Sequence, residues 1–162
     1  MYNFIINLKK EKLMKYNNLK EIILLRIFYW FTNIADTLIP ANAIIDDSYW
    51  RKDNQELIND INELNLSFTY LKVFDLSISK YKLRKILREL ISEGILYKDY
   101  LGGQDPETGY PWCIVGYMIT DKAKELPLYI DLKKIYDKRM LEIINMLENL
   151  KSDKLLDDIL VW

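Results

Sequence analysis

Ser79-Lys80-Tyr81-Lys82-Leu83-Arg84-Lys85-Ile86-Leu87-Arg88-Glu89-Leu90-Ile91-Ser92-Glu93-Gly94-Ile95 is the stretch from which the fold of this chain is read. Ser79 suits an N-cap, and Gly94 stands where glycine most often follows a helix end, so the spacing predicts a helix over 79–93. At about 100° per residue, Leu83, Ile86, Leu87 and Leu90 share one side. Lys80, Arg84, Lys85 and Arg88 share the opposite side, with Tyr81 among them. The first stripe suits a core and the second a polyanion; a solvated charged face is the plainer alternative.

Outward from this helix the local order becomes specific. Ser67 can cap a short helix from Phe68 to Phe74 or Leu76 with Leu71 at its buried centre, and Asp75-Leu76-Ser77-Ile78 leaves only a tight connection to Ser79. Two helices so joined, the second basic, make a helix-turn-helix. After Gly94 the period turns strand-like over Ile95–Leu101, and Gly102-Gly103-Gln104-Asp105-Pro106-Glu107-Thr108-Gly109 is dense in turn formers. Trp112–Ile119 reads as a second strand, and Thr120 caps the segment to Glu125. Helix, helix, strand, long turn, strand is the order of a winged helix-turn-helix domain, with the turn as its wing.

The span Ser67–Glu125, about a third of the chain, resembles bacterial winged helix-turn-helix regulators of the MarR and PadR type. The resemblance lies in the helix ending at Gly94-Ile95 and in Thr120-Asp121-Lys122-Ala123 after the wing, where Ala123 replaces the usual glycine. It implies a sequence-specific transcriptional regulator that binds double-stranded DNA as a homodimer, two copies matching a two-fold operator. On that reading Lys80, Tyr81, Arg84, Lys85 and Arg88 face the major groove or its phosphates, and Arg84 is the candidate for a bidentate contact to guanine. Lys80 and Lys82 near the helix start, with Ser77 and Ser79, suit phosphate, and Lys98 is the basic residue nearest the wing. The wing tip carries Asp105 and Glu107 and no basic residue, so it repels phosphate. Either the wing turns away from DNA, or the basic helix meets something other than a duplex.

Further out, Leu19–Asn33 reads as a first helix, with Leu24, Ile27, Phe28 and Phe31 on one face and Ile23 and Trp30 widening it. Such broad apolar coverage predicts a central helix, and Pro40 prevents its continuation. Residues 35–52 read as a loop with a short strand around Ala43–Ile45. Asp53 and Glu56 form a capping-box spacing for an acidic helix, 53–65, with Leu57, Ile58, Ile61 and Leu64 as its apolar face. Leu128–Leu150 is the last long helix. Its seam of Tyr129, Leu132, Tyr136, Met140, Ile143, Leu147 and Leu150, thickened by Ile135 and Ile144, is nearly a heptad repeat and is the expected dimer interface. The tail from Lys154 to Trp162 is acidic, then apolar, and is expected to tuck onto the dimer or the domain.

Residues 1–18 form a basic arm, or a segment not natively translated. Lys10-Glu11-Lys12-Leu13-Met14 is encodable as a ribosome-binding site followed by a start at Met14. The charge is local throughout. Residues 1–20 carry five Lys against one Glu (+4), 41–66 two basic against six acidic groups (−4), and 79–93 five basic against two acidic (+3), within a chain whose net charge is −1.

The chain has no His, and Cys113 is alone, which removes His-based catalytic arrangements, paired-Cys zinc patterns and disulfides and fits a cytoplasmic protein. The run Ile22–Ile34 is broken by Arg26 and is too short to span a bilayer, and no signal peptide is evident. Gly102-Gly103 lacks the lysine and helix of a phosphate loop. Nothing converges on Asp46-Asp47 or Asp157-Asp158, and Trp30, Tyr49, Trp50, Trp112 and Tyr117 read as core before they read as a ligand pocket.

The expectation is thus a mainly α protein with a small β-hairpin, a winged helix-turn-helix with a long C-terminal helix. It divides into arm (1–18), winged-helix domain (19–126) with an acidic insertion at 41–66, and dimerisation helix with tail (127–162). No enzyme activity, metal, cofactor or membrane partner is expected. The alternative function is a phage or mobile-element interaction module that binds and inhibits a host protein or nucleic-acid complex; a replication initiator is a third reading.

Overall fold

The computed structural model describes residues 18–51, 53–64, 71–74 and 76–161, with side chains from 19 onward except at 71, 72 and 155–161. The arm, the Ser67 cap, the burial of Leu71 and the packing of the last side chains lie outside the described residues. The protein is mainly helical with one two-stranded antiparallel sheet.

Helix α1, Asn18–Tyr29, runs on into a π-helical turn, Trp30–Ile34. Ile22, Ile23, Leu25, Ile27, Phe28, Tyr29 and Trp30 are all buried, so the helix is enclosed round most of its circumference. Leu24 and Phe31, expected on its core face, are only partly buried, because a helix surrounded by neighbours has no single face for periodicity to select.

Ala41–Ile45 is helix α2, not the expected strand: Pro40 precedes it with extended backbone, and Asn42 accepts from the Asp46 N–H at 2.9 Å. Pro40 thus stands at the N-cap of this helix, whereas the run from α1 has already ended at Ile34, with Ala35 extended. The extended position is Ile39, which exchanges two 3.0 Å hydrogen bonds with Tyr117. The acidic helix α3 spans Gln55–Leu64, and its cap is Asn54, whose Oδ1 accepts from the Leu57 N–H at 3.1 Å. Asp53, the expected cap, pairs with Arg51 instead. Helix α4 is Leu71–Phe74.

Arg26 holds these pieces together. It is fully buried, and its Nη1 donates to the Ile44 carbonyl at 2.7 Å while Nε donates to the Val73 carbonyl at 3.0 Å. Nη2 reaches Val73 as well as Asp47 Oδ1, the latter at 3.0 Å, and the guanidinium lies 5.2 Å from the Trp50 ring centroid. One side chain therefore satisfies orphan carbonyls in the last turns of both α2 and α4. Burial lowers its pKa, against the opposing hydrogen bond and charge of Asp47.

Helix α5, Lys80–Ser92, follows. Strands β1, Leu96–Gln104, and β2, Pro111–Ile119, pair from Leu96↔Ile119 to Gln104↔Pro111. Gly102 and Gly103, expected in the turn, lie inside this ladder. A Cβ on Gly102 would stand 2.9 Å from the Trp112 carbonyl oxygen, and one on Gly103 would stand 3.2–3.3 Å from the Trp112 indole, so both positions serve close approach rather than chain reversal.

Helix α6, Pro127–Val161, is 35 residues long and about 52 Å from end to end. Helical backbone continues through the segment expected to fold back as a tail. Its first half packs on the domain: Leu132 is buried in the core, and Tyr129 meets Phe28 edge-on at 5.6 Å. Arg139 then fastens it to α3 and the π-turn, donating to both oxygens of buried Asp60 at 2.7 Å and to Glu56 and Asn33. Burial works against the Arg139 charge, and Asp60 and Glu56 more than offset it, so its pKa is raised. No helix among the described residues is long and apolar enough to cross a membrane.

Candidate nucleic-acid interface

Helix α5 is built as its sequence requires. Ser79 Oγ accepts from the Lys82 N–H at 3.2 Å, and Gly94 closes the helix with φ +75°, a conformation costly for other residues. Leu83, Ile86, Leu87 and Leu90 are buried, each contributing about 1.5–3 kcal/mol by leaving water. Thr120 ties the helix end to the hairpin, donating from Oγ1 to the Gly94 carbonyl at 2.6 Å and accepting from the Ala123 N–H.

Lys80, Tyr81, Lys82, Arg84, Lys85 and Arg88 are all exposed, as are Ser77, Ser79 and Lys98. Among the described residues Tyr81 is the most open large apolar side chain, at 77%. Going round α5, Lys80, Arg84, Arg88, Tyr81 and Lys85 occupy one arc, whereas Lys82 falls on the flank with Glu89 and Glu93. That flank faces α1: Lys20 lies 3.7 Å from Glu89 and pairs closely with Glu93. Lys20 thus draws both of the helix's carboxylates toward α1 and balances one of their two charges. Among the described residues, Lys80, Lys82, Arg84, Lys85, Arg88 and Lys98 have no ion-pair partner. From Lys80 to Arg88 the cationic arc runs about 12 Å along the axis, on the scale of a major groove about 12 Å wide.

The hairpin projects beside this helix, exposed from Tyr97 through Val115 apart from half-buried Asp99. At its tip Asp105 Oδ1 accepts from the Glu107 N–H at 2.8 Å and from the Thr108 N–H at 3.2 Å. Asp105 is thereby a turn-forming residue as well as a charge, and Glu107 is the tip acid without such a role. Tyr97, Leu101, Trp112 and Ile114 share one face of the ribbon, each 43–47% exposed.

The expected dimer seam divides. Tyr129 and Leu132 pack within their own chain, and Tyr136 and Met140 are half-buried beside the domain. Ile143, Leu147 and Leu150 are exposed, together with Leu141, Ile144 and Met146. Trp30 and Trp50 are core, whereas Tyr49 is 45% exposed.

Three polar residues that build this frame, Arg26, Asp60 and Arg139, carry no chemical signature in the sequence. The one available signal was Arg26 standing inside an otherwise apolar run. Comparison with protein-family models, curated proteins and solved structures finds no match for this chain.

Proposed function

We propose that this chain is a winged helix-turn-helix DNA-binding regulator that acts in the cytoplasm as a homodimer, with α5 as the recognition helix. The observation that carries this reading is the exposed arc of Lys80, Arg84, Lys85 and Arg88, free of described counter-charges, on a helix whose acids are turned to Lys20. Arg84, at the centre of the arc, takes guanine, while Lys80 and the flanking Lys82, Ser77 and Ser79 take phosphate. A fluorescence-anisotropy titration of a labelled mixed-sequence duplex at 50 mM salt tests the reading. Saturable binding is expected, with log affinity falling against log salt at a slope of about −0.9 per phosphate neutralised. A duplex that does not bind at that salt rejects it.

The exposed apolar arc on the outer half of α6 is the proposed surface between copies. Leu147→Asp with Leu150→Asp is expected to give a monomer in sedimentation velocity whose circular dichroism stays that of a folded, helical protein and whose melting temperature no longer rises with protein concentration. A wild-type protein that sediments as a monomer at high concentration removes the dimer from the proposal.

A protein-docking role is favoured by one observation, the apolar ribbon face of Tyr97, Leu101, Trp112 and Ile114, which a duplex does not need. Capture of a host protein, and not DNA, by immobilised wild-type protein, lost with Trp112→Ser, is the outcome that favours it.

A further inference from the structure

Where α1, the loop after α2, and α6 meet, they leave a cleft of about 490 Å³, within the range of small-molecule sites. Three phenol rings line it, each fixed by a neighbour: Tyr29 edge-on to Trp50 at 5.8 Å, Tyr49 edge-on to Trp30 at 5.6 Å, and Tyr136 with Lys133 5.1 Å and Arg139 5.9 Å from its centroid. Tyr29 is 5% exposed, and its hydroxyl has no hydrogen-bond partner among the described residues. Burial raises its pKa, the charges of Asp60 and Glu56 raise it further, and the charge of Arg139 opposes them. A buried hydroxyl is rarely left unpaired, so a partner from the cleft is expected.

The charged groups of the cleft select the ligand. Arg139 already donates to Asp60, Glu56 and Asn33, so it has little to offer an incoming anion. Glu56 is 55% exposed and lines the cleft with Arg139, and Asp60, buried behind that arginine, brings the three groups to one net negative charge, while Lys133 beside Tyr136 is balanced by Asp137 at 3.1 Å. Phenol faces attract cations as well as flat rings. We infer that this cleft is a binding site for a small planar organic cation, held between the tyrosine rings, with Glu56 taking its N–H donors and Tyr29 completing its hydrogen bonding.

Three near-isosteric probes separate the possibilities: benzamidinium, benzamide and benzoate, titrated by calorimetry against the full chain. The expected order is benzamidinium tightest, benzamide at least tenfold weaker and benzoate weaker still. Glu56→Gln is expected to weaken benzamidinium about tenfold and to leave benzamide unchanged. Tyr49→Ala, at a half-exposed wall position, is expected to weaken both. Tyr29→Phe is expected to weaken benzamidinium without lowering the melting temperature of the free protein, since a hydroxyl without a partner contributes nothing to the empty fold. If Glu56→Gln does not fold, Tyr49→Ala and the probe order still decide. Benzamidinium that fails to saturate, benzoate that binds as tightly, or affinity indifferent to Tyr49→Ala overturns the assignment.

Discussion

Replacing Arg84 and Lys85 together by glutamate is expected to weaken duplex binding roughly a hundredfold or more, at about 1–3 kcal/mol for each basic group withdrawn from the DNA. The substitution does more than delete two donors. The arc of Lys80, Arg84, Lys85 and Arg88 carries four positive charges, and two reversals bring it to zero. Glutamate at 84 also stands four residues from both Lys80 and Arg88, where it can pair with either along the helix and withdraw them from phosphate. The salt slope should fall by up to about 3.6, at about 0.9 for each of four phosphates no longer neutralised. Both positions are exposed, and glutamate is a good helix former, so unfolding should be unchanged. Anisotropy at 50 and 200 mM salt, with circular dichroism as the folding control, reads both quantities. A variant that keeps wild-type affinity and slope removes α5 from the binding surface.

Arg26→Met is expected to destabilise the fold by about 3–5 kcal/mol, a large part of the 5–15 kcal/mol typical of a domain. Methionine fills much of the same volume, so packing is not the main loss. What disappears is the donor to the Ile44 and Val73 carbonyls. A buried carbonyl left unpaired costs about 1–3 kcal/mol. Relief of guanidinium desolvation opposes this, but Asp47 is 55% exposed and needs no buried counter-charge, so two orphan carbonyls decide the sign. Arg26→Lys should recover only part of the loss, because an ammonium cannot fork between two helix ends. Urea unfolding gives the result directly; a midpoint equal to wild type for Arg26→Met means water replaces the guanidinium without penalty.

The sequence was most legible where structure is local. Helix α5 announces itself through Ser79, Gly94 and four aliphatic residues at helical spacing, and each stands where those signals put it. Short elements were not so clear. Ala43-Ile44-Ile45 suits a strand or a helix alike, and what decides is Pro40 upstream together with the Arg26 donor at the helix end. Gly102 and Gly103 look like a turn in composition and are strand residues because Trp112 lies across them, a fact of cross-strand register.

The long helix shows a different limit. Periodicity placed Leu132 and Leu147 on one seam, but it cannot say whether the covering surface belongs to the same chain, and only Leu132 is covered by its own. The candidate cleft was least legible of all. Tyr29 and Arg139 meet there from elements far apart in the chain, and Arg139 reaches Asp60 across 79 positions.

The acidic segment around α3 invites deletion, since it reads as an appendage between two helices of a small domain. Arg26 rules out removing it alone. A shortened chain lacking residues 46–64 would lose Asp47 and leave a buried cation in the centre of α1 with only the Ile44 and Val73 carbonyls, both outside the deletion, as its partners. An apolar residue at 26 would shed that uncompensated charge, but it would leave the same two carbonyls without a donor. Position 26 is therefore where a shorter descendant of this fold would carry its mark.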